Sequence, residues 1–161
     1  MATTIVKNTL KVTITEDIIL NGTQQGATNV LNLTDIHEVS KRIVTITTSE
    51  VEIIAISSAI TSGTFLETDV RYIRITNLDT AYYVLLTFKN KDNNEFVVKV
   101  DPGQSFIYNG DLDGGVVDTM DASAAAIGPP VVMNDLVNIT ADAEHVNGTD
   151  IEVFVACKKS S

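Results

Sequence analysis

At 161 residues, with 44% hydrophobic and 20% charged residues, the chain has the composition of one folded domain with a substantial core. Its net charge is -10, and its eleven basic residues are nowhere grouped beyond Lys41-Arg42 and Lys158-Lys159. That argues against nucleic-acid binding, which needs clustered cations on phosphates.

Taken in chain order, the pattern is β almost throughout, because Thr, Val and Ile dominate and all three are β-branched. "KVTIT" alternates, with Val12 and Ile14 on one face and Lys11, Thr13 and Thr15 on the other. "NVLNLTDI", residues 29–36, is a second strand. "RIVTITTSEVEIIAIS", residues 42–57, holds two apolar runs parted by Thr48, Ser49 and Glu50, the pattern of a hairpin. "VRYIRIT", "YVLLTFK" and "EFVVKV" follow, separated by turns rich in Asn and Asp. In "VRYIRIT", strict alternation puts Arg71, Ile73 and Ile75 on one face and Val70, Tyr72 and Arg74 on the other. The turn Asp101-Pro102-Gly103 leads into "SFIYN", and "LVNITA" and "DIEVFVACK" close the chain.

Nine or ten short strands with turn signals every eight to twelve residues predict an all-β fold, a sandwich or a barrel. We expect an N-terminal arm or edge strand over residues 1–11 and a single β-sandwich domain over 12–161. One long Gly/Ala/Asp-rich insertion, the loop 111–132, interrupts the pattern, and a short helix fits Ser123 to Ile127 within it.

Chemical motifs are sparse. Cys157 is the lone cysteine, so no internal disulfide or cysteine zinc site is expected, and its apolar surroundings make it a small buried hydrophobe. Neither His37 nor His145 has a sequence-local catalytic or metal-binding partner, and no G-x-S-x-G elbow is present. The reading is of a protein that is not an enzyme and uses no cofactor. For a metal, "NGDLDGG" sets Asn109, Asp111 and Asp113 at alternate positions, like the start of a calcium loop. Met120 stands where the bidentate Glu belongs, which favours a solvated acidic turn. Tyr82 and Tyr83 are the pair to inspect for sugar stacking, in a chain without Trp. The N-x-[ST] triplets at Asn21, Asn32, Asn138 and Asn147 read as chance in an Asn- and Thr-rich chain. The start "MATTIVKNTLKV" lacks a signal-peptide apolar stretch, and no segment nears the roughly 18 apolar residues of a membrane span. No membrane partner is expected.

One segment goes further. "VRYIRITNLDTAYYVLLTFKNKDNNEFVVKVDPGQSFIYNG" resembles a pattern in small β-sandwich virion proteins of tailed bacteriophages. There "Y-I-R-I-T-N-L-D" enters a turn and is followed by "Y-V-x-L" and "x-P-G-x-S-F". The final "DIEVFVACK" is similar to the closing strand of such proteins. The resemblance implies an antiparallel β-sandwich of jelly-roll-like form and a non-enzymatic virion structural protein, a capsid decoration (cement) protein made in the host cytoplasm. Its partners would be the major capsid protein or another virion protein, and its own copies in a homo-oligomer such as a trimer. Tail, head–tail or head-fibre accessory proteins share the pattern, and a carbohydrate- or cell-surface-binding module is the alternative of a different class. Intermolecular contacts are expected in the N-terminal arm and the 111–132 loop, with Lys7, Lys11, Arg71 and Arg74 as interface residues.

Overall fold

A computed structural model describes residues 5–109 and 136–158. Among these lie twelve strands. They are β1 (Asn8–Thr15), β2 (Ile19–Leu20), β3 (Thr23–Gln24), β4 (Thr28–Ile46), β5 (Val51–Ser57) and β6 (Phe65–Leu66), then β7 (Val70–Asn77), β8 (Val84–Asn90), β9 (Glu95–Val100), β10 (Ser105–Asn109), β11 (Leu136–Ala143) and β12 (Thr149–Lys158). The fold is all-β and sandwich-like. One five-stranded sheet runs β1-β4-β12-β7-β10, a second runs β6-β5-β11-β8-β9, and β2 and β3 form a ribbon of their own. Every pairing is antiparallel except the short β5–β6 contact.

Alternation explains the sandwich. Along β8, Val84, Leu86 and Phe88 are buried while Leu85, Thr87 and Lys89 are less so, the signature of one wet and one dry face. Inward residues of both sheets share one core, including Ile46, Ile73, Ile75 and Ile151 from the first and Ile54, Leu86, Phe88 and Ile139 from the second. At about 25 cal/mol per Å² of apolar surface, this is the main source of stability.

Two expectations need correction. The runs within residues 42–57 are not a hairpin. β4 ends in the first sheet and β5 begins in the second, so Thr48-Ser49-Glu50 turns the corner between sheets. Packing is the reason: Ile46 enters the core from one side and Ile53, Ile54 and Ile56 from the other. The corner is tied by Ala143 N–H donating to Thr47 O at 2.8 Å. The second correction concerns β7. Val70 shares the core with Ile73 and Ile75, whereas Tyr72 faces out. The register explains it. Ala156 opposes Tyr72 but Cys157 opposes Val70, leaving Arg71 as the extra residue of a β-bulge, and a bulge reverses facing on one side of it.

β4 absorbs two segments that the sequence separates. Residues 29–36 and 42–46 lie on one nineteen-residue strand. Two irregularities bend it. Asp35 has φ of 61° where β1 and β4 slip register, and His37 is the extra residue opposite Cys157–Lys158. That bend sets up the site described next.

Candidate docking site: the N-terminal hairpin and its cleft

β1 pairs with the first half of β4, from Ile14 opposite Asn29 to Leu10 opposite Leu33. β12 pairs with the second half, from Ile36 onward. β1 and the start of β4 therefore form a two-stranded ribbon beyond the end of β12. Such a ribbon is barely stable alone in water. This one turns its apolar side onto the outer face of the first sheet. Leu10, Val12, Leu31, Leu33 and Ile36 join Tyr72, Ile107, Phe154 and Ala156 in a second, smaller cluster. Tyr72 meets Phe154 edge-on, with ring centroids 5.9 Å apart at 76°. Burial pushes the Tyr72 hydroxyl above its ordinary pKa, against the opposing pull of Arg74.

Between β1 and the outer faces of β7, β10 and β12 a cleft of about 450 Å³ remains open. Leu10, Val12 and Ile14 form one wall, and Tyr72, Ile107 and Phe154 the apolar floor. The charged residues that line it are Lys11 and Arg74, both cations. Arg74 donates from Nη2 to Glu152 Oε1 at 2.5 Å and lays its guanidinium 5.7 Å from the Phe154 ring centre. Lys41 reaches the other Glu152 oxygen at 3.0 Å. Lys41, and after it Arg74, hold the Glu152 carboxyl below its usual pKa. The cleft thus presents Lys11 and Arg74, the latter paired with Glu152, and suits an apolar segment flanked by acids.

The far end of the ribbon is a built turn. Asn21 and Gly22 have φ of 51° and 78°, the two positive values of a type I′ turn, and join β2 to β3. The Gln24 side chain locks the loop around it: Oε1 accepts from Ile18 N at 3.2 Å and Gly26 N at 2.9 Å, and Nε2 donates to Asp17 Oδ1 at 2.7 Å. Glu16 N–H donates to Ala27 O at 2.8 Å. Position 26 must be glycine, since a Cβ there would lie 1.9 Å from Glu16 O. This ordered tip presents Ile18, Ile19 and Leu20 to solvent, at 48%, 66% and 54% exposure. The sequence-based reading assigns no element there. Its signal is Asn21-Gly22 directly after the apolar run Ile18-Ile19-Leu20, a local turn signature.

Of the expected interface residues, Lys11 and Arg74 come together at the cleft. Lys7 is exposed just ahead of β1. Arg71 is elsewhere, buried at its bulge, with Nη1 donating to Thr68 O at 2.7 Å and Val70 O at 3.1 Å. Its Nε has no partner among the described residues. Tyr82 stacks on His145 at 4.1 Å, and Lys99 sits 4.6 Å over the Tyr83 ring, so each ring already holds a neighbour from its own chain. His37 lies inside β4 rather than at a strand end. Cys157 is buried, and desolvation with Glu38 and Asp69 nearby pushes its thiol up to about 12, so it is inert at neutral pH. Asn109 ends β10. Asp111, Asp113, the Ser123 to Ile127 helix and the 111–132 loop lie outside the described residues.

Compared with protein-family models, with curated proteins and with solved structures, the chain matches none.

Proposed function

We propose that this chain is a non-enzymatic structural protein of a virion, decorating and stabilising the capsid shell of a tailed phage, and that the N-terminal hairpin is an intermolecular clamp. One observation carries the clamp. A hydrogen-bonded tip holds three consecutive apolar side chains about half or more exposed to water. Exposed apolar groups on a pre-ordered element are the economy of a binding surface, because little ordering entropy remains to be lost on contact. The resemblance of "VRYIRITNLD" through "DPGQSF" to small virion proteins supports the virion assignment. A cement protein binds a repeating surface through many modest contacts that add by effective concentration, and an arm with an adjacent cleft suits that mode.

The test is direct. Purified protein is mixed with shells lacking it, pelleted and counted by gel. Saturation at a fixed ratio to the major capsid protein, with a raised shell melting temperature, is the expected result. Failure to bind shells while binding tails would move the protein to the tail, and binding to neither removes the virion reading.

A further inference from the structure

The tip and the cleft are complementary to each other. The tip offers Ile19 and Leu20 beside two exposed acids, Glu16 and Asp17. The cleft offers an apolar floor of Tyr72, Ile107 and Phe154, and its charged lining consists of Lys11 and Arg74. In a chain of net charge -10, a cationic cleft is the locally unusual surface, and the acidic tip of a second copy is drawn to it by opposite charge. The tip cannot fill its own cleft. β1 is itself the cleft wall, held extended by the ladder from Leu10–Leu33 to Thr15–Thr28. At about 3.4 Å per residue, Val12 to Thr15 alone spans roughly 10 Å, and Ile19 lies four residues further along the arm. Folding it back would break the ladder.

We infer that the hairpin tip of one copy docks into the cleft of a second copy, Ile19 and Leu20 on the aromatic floor and Glu16 facing Lys11. Such a contact is heterologous, joining different surfaces of two identical chains, so it propagates around a ring or along a row rather than closing as a two-fold dimer. The inference rests on the clamp reading of the hairpin but needs no capsid. Purified protein tests it, whereas shell pelleting tests the virion reading, so the two fail separately.

Sedimentation velocity of the purified full chain should show association that rises with concentration. Ile19→Ser with Leu20→Ser should weaken it at least about 30-fold, as the loss of a buried anchor does. Glu16→Lys and Lys11→Glu should each weaken it about tenfold, and a chain carrying both changes should recover, because the pair is then reversed in every contact. Heterologous geometry adds a sharper readout. A chain with the serine tip keeps its cleft, and a chain with Ser105→Trp, an exposed cleft position, keeps its tip. Each alone should stay monomeric, and a mixture of the two should form one-to-one dimers. Unchanged thermal unfolding of each variant shows that folding is intact. A wild-type chain monomeric at every concentration, self-association indifferent to the serine tip, or mixed variants that stay apart would each overturn the inference.

Discussion

The sandwich core and the N-terminal hairpin are both β-structure, yet they are held by different physics. In the core, Ile46, Ile73, Ile75, Leu86, Ile139 and Ile151 are wholly buried, drawn from both sheets. In the second cluster, the buried members among the described residues are Leu33, Ile36, Tyr72 and Ala156, and of these Ala156 is fully enclosed. The hairpin therefore depends on its ladder, its bulges and its turn chemistry far more than on burial. Regions with few buried apolar contacts open at lower free energy than the whole. The difference teaches where stability and where binding reside. The core fixes the outer face, and the arm is a locally stabilised projection that adds surface without adding much to the fold.

The largest effect should come from the core. Leu86→Ala removes a fully buried side chain between the sheets and should destabilise by about 3 kcal/mol, within the range seen for such truncations. Strand signals from both sheets should melt together at a lower temperature. If β7 and β12 of the first sheet melted separately from β8 and β11 of the second, the single shared core would be wrong. Next in size is Gly26→Ala. The new methyl overlaps Glu16 O, and relieving the clash should cost about 1–3 kcal/mol. The comparison predicts that this cost stays in the arm. Amide exchange along Lys11–Thr15 should accelerate about tenfold or more while β8 and β11 amides keep their protection. Equal acceleration in both places would show that arm and sandwich form one cooperative unit.

Much of this fold is legible in the sequence, and the misses have physical causes. β7 to β12 read directly, because alternation with wet and dry faces is a local signal bounded by Asn, Asp, Pro and Gly turns. The corner at Thr48–Glu50 does not, since a hairpin and a sheet-to-sheet corner share the same turn residues and differ only in which neighbour each strand finds. The facing of Val70 is hidden for a related reason: a bulge is set by the partner strand, here Ala156 and Cys157. Of the site, Arg74 and Lys11 stand out as cations in an acidic chain, but only the bend at Asp35 and His37 brings them to one cleft. The tip was readable from Asn21-Gly22, and its apolar exposure was not, because burial is a property of the whole fold.

A smaller effect sits at the boundary between the two regions. Glu152→Gln removes the carboxylate shared by Lys41 and Arg74, a half-exposed ion pair contributing about 1 kcal/mol or less. Its pH dependence has a definite sign. A carboxyl held below its ordinary value of 4.5 adds stability that is present above that pH and lost as pH falls through the depressed value. Thermal midpoints measured from neutral pH into acid should thus fall less steeply for Glu152→Gln than for the parent. Asp142, on the second sheet, works in the opposite sense. Burial, with Glu50 nearby, raises its pKa, so its ionisation weakens the fold as pH climbs from its ordinary 3.8 to the raised value. Asp142→Asn should remove that loss and leave the arm untouched.

The smallest expected change in stability is the most informative about the arm. Ile19→Ser alters a side chain that is 66% exposed on β2, so it leaves no cavity and strips little buried surface. Its β-propensity penalty is a few tenths of a kcal/mol, and surface substitutions of this kind usually fall within about 0.5 kcal/mol of neutral. The turn at Asn21-Gly22 and the Gln24 hydrogen bonds do not involve the Ile19 side chain, so the tip should keep its shape. Thermal unfolding should therefore be almost unchanged while self-association weakens. That split cannot arise if Ile19 is part of what holds the fold, since both readouts would then fall together. Nor can it arise if the tip is idle surface, since neither would move. Leu86→Ala provides the contrast, lowering stability first and association only as a consequence. The two substitutions together separate a residue that builds the protein from one that the protein is built to present.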